Sequence, residues 1–471
     1  MEKPAKDLEE NPAKGPSKVV LGLGAALLVA GVIVIALAIA FATKPEVTRC
    51  SVPGDSPFLA RPTDGTFDPG SSDPRPKRNQ CSDPGAIPVI IDFDVNIDDV
   101  VALSFLAKSA KYEIKAVIVT GTAFTNPSIG LANTYRMLEL LGLSNVDVGI
   151  GPYYTKPYWD LTGFPADFQS IELAYARAIP KASMYGADLL MGVADKFLPV
   201  SDRHPAAPIG GVAQPAAADI YKKHIDAGVT TVLTIGSLTS LHKFQVVHPA
   251  SYAKIDTLYS MFGAVDVDGN VFHSDPIWKA EFNAIADPHS AKAVLESSIP
   301  NIILIPLDAT EEAPLSPDYM DSLARLKSHE ARFVSELTHR VRKDWWCEAF
   351  NPGCFYGFSA GIDSPVTSQS LLDAYFFWDP LAVAVMIEPD VVTFENITIE
   401  VVASTPPDLT IDGWTKRSSA GKMMKVAMHV PTEAKRARVR TLINEALERD
   451  CIVNQPLPLG VLLDFIPTCP A

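Results

Sequence analysis

Residues 89–106 constrain this chain more than any other stretch. They open with Val89-Ile90-Ile91, an apolar run that reads as a buried strand, and close with Val100-Val101-Ala102-Leu103-Ser104-Phe105-Leu106, which reads as a helix. Between them stand Asp92, Asp94, Asp98 and Asp99, four carboxylates within eight residues. Strand, acidic turn and helix make the first half of a β-α unit of a parallel sheet, and ligands of such sheets gather beyond the carboxyl ends of the strands. Four like charges at that place repel one another unless something positive lies among them. A hard cation with oxygen ligands, Ca²⁺ or Mg²⁺, answers that need. The plain alternative is a solvated acidic loop that caps a helix.

The chain has 471 residues, enough for one large α/β domain or two ordinary ones. Its net charge of −15 and lack of a basic stripe exclude nucleic acid as an expected partner. Residues 1–18 are polar and form a tail, and residues 19–42 are 24 residues without a charge. Spanning a bilayer takes about 20 apolar residues, so this run reads as a retained transmembrane signal-anchor. Ala40-Phe41-Ala42 has the pattern of a cleavage site, which keeps a secreted form open. Lys3, Lys6, Lys14 and Lys18 precede the run, placing the N-terminus in the cytosol and the remainder outside the cell or in a lumen. All six cysteines follow the run, which suits disulfides, with Cys347 and Cys354 the first candidates for a pair; unrelated buried thiols are the alternative. Asn396-Ile397-Thr398 is a glycosylation sequon, whereas Asn126-Pro127-Ser128 is blocked by its proline.

Residues 43–87 are rich in Pro, Gly and Ser and read as a stalk, so the folded domain is expected at 88–471. Strands are expected at 113–120, 146–150, 230–235, 255–261, 302–305 and 391–402. Helices are expected at 128–141, 184–197, 216–227, 238–247 and 432–448, with one long helix over 317–343. The segment 425–430 pairs with 391–402 as a small antiparallel C-terminal addition. Residues 371–387 are apolar enough to suggest a second span, but Asp373 and Asp379 argue for a buried helix carrying a functional carboxylate. The alternation predicts an α/β fold, a Rossmann-like mainly parallel sheet flanked by helices.

The segment Asp92-Phe93-Asp94-Val95-Asn96-Ile97-Asp98-Asp99 resembles the aspartate fingerprint of the nucleoside hydrolases, Ca²⁺-dependent enzymes that cut the N-glycosidic bond of ribonucleosides. Asp92-Phe93-Asp94 alone also resembles a haloacid-dehalogenase-type phosphatase, but the following Asp98-Asp99 favours the hydrolases. Three more segments agree in order: Val232 through Thr239; Asp275, Glu281-Phe282-Asn283 and Ala286-Asp287-Pro288 with Met261 upstream; and Trp378-Asp379-Pro380. The resemblance runs from about residue 88 to at least 390.

The resemblance implies that Asp94, Asp99 and Asp379 ligate Ca²⁺ with the main-chain carbonyl of Ile235. Asp94 is also the implied general base that takes a proton from the attacking water. Asp98, Asn283, Glu281 and Asp275 would hold the sugar hydroxyls, Asn96 and Met261 would line the pocket, and Asp92 would support the site from behind. These residue types suit the reaction, because breaking the bond to the base builds positive charge on the ribose ring, which carboxylates stabilise. Asn96 and Trp378 resemble the purine-preferring inosine-adenosine-guanosine branch, in which aromatic rings sandwich the base and ease its protonation. Trp159 or Tyr158 is a candidate second ring. Where many members have a Pro-Gly pair this chain has Val95-Asn96, and Thr122 replaces a polar ribose contact. The expected partner is a ribonucleoside, with membrane contact through the N-terminal helix and a homo-oligomer left open. A non-catalytic nucleoside- or sugar-binding ectodomain is the rival reading from another class.

Overall fold

A computed structural model of the chain describes residues 81–121, 127–143, 145–153, 216–270, 279–340, 376–405, 408 and 410–449. In chain order the elements begin with β1 (Ile87–Phe93), α1 (Ile97–Ala107), β2 (Tyr112–Gly121), α2 (Pro127–Leu140) and β3 (Asp147–Tyr153). After residue 215 come α3 (Ala217–Asp226), β4 (Thr231–Thr234), α4 (Thr239–Val247), α5 (Pro249–Tyr252) and β5 (Thr257–Met261). Then follow α6 (Phe282–Ala286), α7 (Pro288–Leu295), β6 (Asn301–Ile305), α8 (Leu307–Thr310), α9 (Pro317–Leu323) and α10 (His329–Arg340). The last elements are α11 (Trp378–Ile387), β7 (Thr393–Val401), β8 (Thr415–Arg417), β9 (Lys422–His429) and α12 (Glu433–Glu448).

The strands form one sheet in the order β3-β2-β1-β4-β5-β6-β9-β7-β8. The first six run parallel, and the chain reverses its direction of winding between β1 and β4. That reversal opens a crevice at the carboxyl ends of β1 and β4, the topological switch point where such sheets bind ligands. The expected C-terminal addition is part of this sheet: β9 runs parallel to β6 and antiparallel to β7, which carries the unpredicted short strand β8.

Both faces of the parallel strands are covered, which is why they read as unbroken apolar runs. Val89, Ile91 and Phe93 of β1 point into one core with α1, α2, α10, α11 and α12. Ile90 points into the other, with α3, α4 and α7. Every residue of α1 is buried. It lies against α11, itself buried along nearly its whole length. A helix that is apolar all round belongs inside a protein, so α11, the described part of the charge-poor 371–387 run, is a core helix and not a span. Among the described residues no helix is long and apolar enough to cross a membrane, and the run at 19–42 lies outside them.

The single helix expected over 317–343 is two. The break comes where Ser328 Oγ accepts the N–H of Ala331 at 2.9 Å and the Glu448 carboxylate of α12 takes the N–H groups of Lys327 and Ser328. A serine that can cap a new helix competes with continuing the old one. Helical period alone did not reveal this, because the residues on either side keep their apolar face. Cys81 is disulfide-bonded, and the other five cysteines lie outside the described residues, as does the helix expected at 184–197.

Candidate metal and sugar site

The acidic turn is shaped by one residue in an unusual conformation. Val95, buried, has φ +63°, in the left-handed region that a β-branched side chain rarely adopts. The turn aims two backbone donors at one carboxylate: Asp94 N–H reaches Asp99 Oδ1 at 3.1 Å and Asn96 N–H reaches Asp99 Oδ2 at 3.0 Å. Successive N–H groups around a left-handed residue make an anion-binding concavity, here filled by the chain's own carboxylate. Asn96 is the N-cap of α1, its Oδ1 accepting from Ile97 N–H at 2.7 Å, and with Asp99 it forms a reciprocal capping box.

The end of β4 closes against this turn. Ile235 N–H donates to the Asp92 carbonyl at 2.8 Å. A Cβ on Gly236 would sit 3.0 Å from the Asp94 nitrogen, so only glycine lets β4 approach this closely. Asn283 Nδ2 lies 3.4 Å from the Ile235 carbonyl oxygen and 3.3 Å from that of Met261. Glu281 is the N-cap of α6. Its carboxylate accepts N–H groups from Gly263 at 3.0 Å, Asn283 at 2.9 Å and Ala284 at 3.2 Å. It is thus no solvated helix residue but a buried group that ties the β5–α6 region to the site.

Asp379 arrives from the far end of the chain. It lies in the first turn of α11, as Asp98 and Asp99 lie in the first turn of α1, so two helix N-termini offer their positive ends to the same acids. The opposite end of α11 is held at the start of β2: Lys111, just before the strand, donates its Nζ to the carbonyls of Met386 at 2.9 Å and Ile387 at 3.1 Å, and Tyr112 OH donates to Met386 at 3.0 Å. Oxygens of Asp98, Asp99 and Asp379 lie within 4.8 Å of one another.

Burial and mutual repulsion shape the acid–base behaviour of the cluster. Burial, then the Asp94 charge, pushes Asp98 up to about 7. Burial raises Asp99 and Asp379 well above the usual carboxylate range, with neighbouring acids adding to it. Burial raises Glu281 to about 7 even against its three backbone donors. Asp92 is raised by burial and held down in part by Tyr221. Asp94 contributes repulsion to all five, so it faces the whole cluster. Among the described residues no cationic side chain forms an ion pair with Asp98, Asp99 or Asp379, and Asp98 Oδ1 is buried with no hydrogen-bond partner. Oxygen ligands, negative charge and an orphaned carboxylate oxygen fit a hard divalent ion.

The structure therefore brings together Asp94, Asp98, Asp99, Asp379 and Glu281, with Asn283 joining Ile235 and Met261. Asp98, expected on the sugar, stands in the tight carboxylate triple, whereas Asp94 enters the cluster through its charge and its N–H. Trp378 is the first residue of α11, half-buried, its ring 5.7 Å from that of Phe376. Asp275, Trp159, Tyr158 and Thr122 lie outside the described residues. Asp287 caps α7 and accepts the Thr239 hydroxyl at 2.8 Å, joining α4 to α7. The residue that the sequence did not point to is Tyr221, whose hydroxyl donates to Asp92 Oδ2 at 2.7 Å from 129 positions away. It lies on the buried face of an ordinary amphipathic helix, so nothing local marks it.

The family model described as inosine-uridine preferring nucleoside hydrolase matches residues 89–444. Nucleoside hydrolase 3 of Arabidopsis thaliana is 25% identical over 69% of this chain and 40% of its own length, and nucleoside hydrolase 4 of the same plant is 30% identical over 55% and 50%. The chain thus spans half or less of the length of these two relatives. The pyrimidine-specific ribonucleoside hydrolase RihA of Klebsiella pneumoniae is 27% identical over 54% of this chain and 70% of its own. In fold, the chain is similar to the plant nucleoside hydrolase PpNRh1, with TM-score 0.55 and 20% identity over 78% of this chain and 100% of that one. It is also similar to the purine-preferring ribonucleoside hydrolase from Gardnerella vaginalis, with TM-score 0.53 and 21% identity over 77% and 99%. With the family match covering most of the chain and the acids converging at the switch point, the chain belongs to the inosine-uridine preferring nucleoside hydrolase family.

Proposed function

We propose that this chain hydrolyses the N-glycosidic bond of ribonucleosides, releasing free base and ribose, with Ca²⁺ as its ion. The observation that carries the reading is the meeting of Asp98 and Asp99 with Asp379 within 4.8 Å, all facing Asp94. Asp94, Asp99, Asp379 and the Ile235 carbonyl are assigned to the ion. Held there, the ion would supply Lewis acidity that makes water easier to deprotonate. Asp94 takes the proton of the attacking water. Asp98, Glu281, Asn283 and Asp275 bind the sugar, and the carboxylates among them, with the amide oxygen of Asn283, stabilise the positive charge that grows on the ring as the bond to the base breaks. Asn96 and Met261 line the pocket. Trp378, with Trp159 as its counterpart, stacks on the base, an interaction worth about 1–3 kcal/mol in nucleic-acid sites.

The test is to incubate the protein with inosine, adenosine, guanosine and uridine, with and without a chelator, and to assay free base and ribose. Asp94→Ala is expected to abolish release while leaving the fold intact, and retained turnover refutes the role given to Asp94. Asn96 and Trp378 support a purine preference, so inosine should exceed uridine in kcat/KM. Nucleoside binding without base release would assign a binding ectodomain instead.

Residues 19–42 are proposed to anchor the chain, with the hydrolase domain outside the cell or in a lumen. The uncharged run, the disulfide at Cys81 and the exposed Asn396 of the sequon support this placement. Protease protection of sealed vesicles decides it: digestion of residues 88–471 only from the cytosolic side overturns the orientation.

A further inference from the structure

We propose that Tyr221 is a positioning residue for the ion site, acting through Asp92. Asp92 is the last-but-one residue of β1, and it faces the sheet layer opposite to α1, sharing that face with Ile90. Its carbonyl accepts the Ile235 N–H at 2.8 Å, so the same residue joins β1 to β4 just where the chain supplies Asp94 on one side and the Ile235 carbonyl on the other. Its carboxylate is fully buried. Oδ2 accepts the Tyr221 hydroxyl at 2.7 Å, and Oδ1 has no hydrogen-bond partner. One hydrogen bond therefore sets the rotation of a buried carboxylate at the root of the acidic turn.

Tyr221 is built to hold that geometry. It is fully buried in α3, and its ring stacks on Phe244 of α4 at 5.1 Å with planes 13° apart. Phe244 is braced in turn by Tyr252, 5.9 Å away. The hydroxyl is thus delivered to Asp92 from a rigid aromatic stack, and removing it leaves both carboxylate oxygens without a partner. A buried carboxylate in that state must turn, draw in water or take a proton, and each response moves the strand end that carries Asp94. Groups that orient ligands from behind typically change metal affinity or activity by about 10–100-fold.

This inference rests on the proposal that the site holds Ca²⁺, and the experiment separates the two. Ca²⁺ affinity is measured by calorimetry on the full chain and on Tyr221→Phe, Asp92→Ala, the double variant and Phe244→Leu, with circular dichroism and Tm in chelator as the check on folding. Tyr221→Phe keeps the stacked ring and is expected to bind Ca²⁺ at least about tenfold more weakly. The double variant should be no weaker than the worse single one, because both changes cut the same link. Phe244→Leu loosens the stack but keeps the hydroxyl, so it should lower Tm while weakening Ca²⁺ binding less than Tyr221→Phe does. Wild-type affinity in Tyr221→Phe, multiplying effects in the double variant, or a Tyr221→Phe protein that does not fold would each overturn the positioning role. Absence of Ca²⁺ binding in the wild type would overturn the ion assignment itself, and this inference with it.

Discussion

The carboxylate of Asp99 is held by the backbone of the residue that faces it: Asp94 N–H donates to Asp99 Oδ1 at 3.1 Å, across five positions of chain. Asn96 N–H takes the other oxygen at 3.0 Å. The acidic turn thus orients one of its own acids before any ligand arrives, leaving that acid's remaining lone pairs to face Asp98 and Asp379.

That grip depends on Val95 at φ +63°. The left-handed conformation costs an L-residue about 1–2 kcal/mol, and glycine escapes it at a smaller entropic cost. Val95→Gly relieves that strain but gives up a side chain buried in the core, so it is expected to be neutral or to destabilise by up to about 2 kcal/mol in chemical denaturation. Val95→Pro cannot adopt this φ, so it should lose Ca²⁺ binding. Wild-type Ca²⁺ affinity in Val95→Pro would show that the left-handed turn is dispensable.

Asp379 adds one more negative charge to a buried acidic cluster. Asp379→Asn keeps its shape and cannot take a charge, so in chelator the variant should be more stable than wild type, and by more at about pH 8 than at about pH 5. Base release should be lost at the same time. Denaturant melts with and without Ca²⁺ check this: a variant less stable than wild type in chelator contradicts the repulsion.

Gly236 lets β4 lie against Asp94. A methyl group there would meet the Asp94 nitrogen and the Thr120 methyl, each at 3.0 Å. Gly236→Ala should cost about 1–3 kcal/mol of stability and displace Asp94, lowering kcat more than it raises KM. Crystallography or melts of the variant, paired with kinetics, separate the two effects.

Acid–base linkage gives a prediction with a definite sign. Burial raises Asp98 and Glu281 to about 7 in the ion-free protein. Their unfolded values are near about 4, so the stability they contribute is full below that pH and is lost as pH rises through the folded value. Ion binding needs the ionised carboxylates and runs the other way. The chelated protein should melt lower at about pH 8 than at about pH 5, and the gain in Tm on adding Ca²⁺ should be larger at about pH 8. Scanning calorimetry at both pH values checks it, with an equal Ca²⁺ gain as the failing result.

The amino-acid sequence by itself determined the strand–acid–helix unit at 89–106, the parallel α/β class and the family resemblance, because these are local: buried strands are apolar throughout, and the four acids stand within eight residues. It also marked Asp379, since a carboxylate in an apolar run has no plain explanation. Only the tertiary structure decided what those acids do to one another. It put Asp98 into the tight triple, turned Glu281 into a buried cap bonded by three N–H groups, broke the 317–343 helix at Ser328, and set Tyr221 behind Asp92. The physical reason is range. Periodicity and turn chemistry act over a few residues, whereas the contacts that join Asp98 and Asp99 to Asp379, and Asp92 to Tyr221, come from segments more than a hundred positions apart.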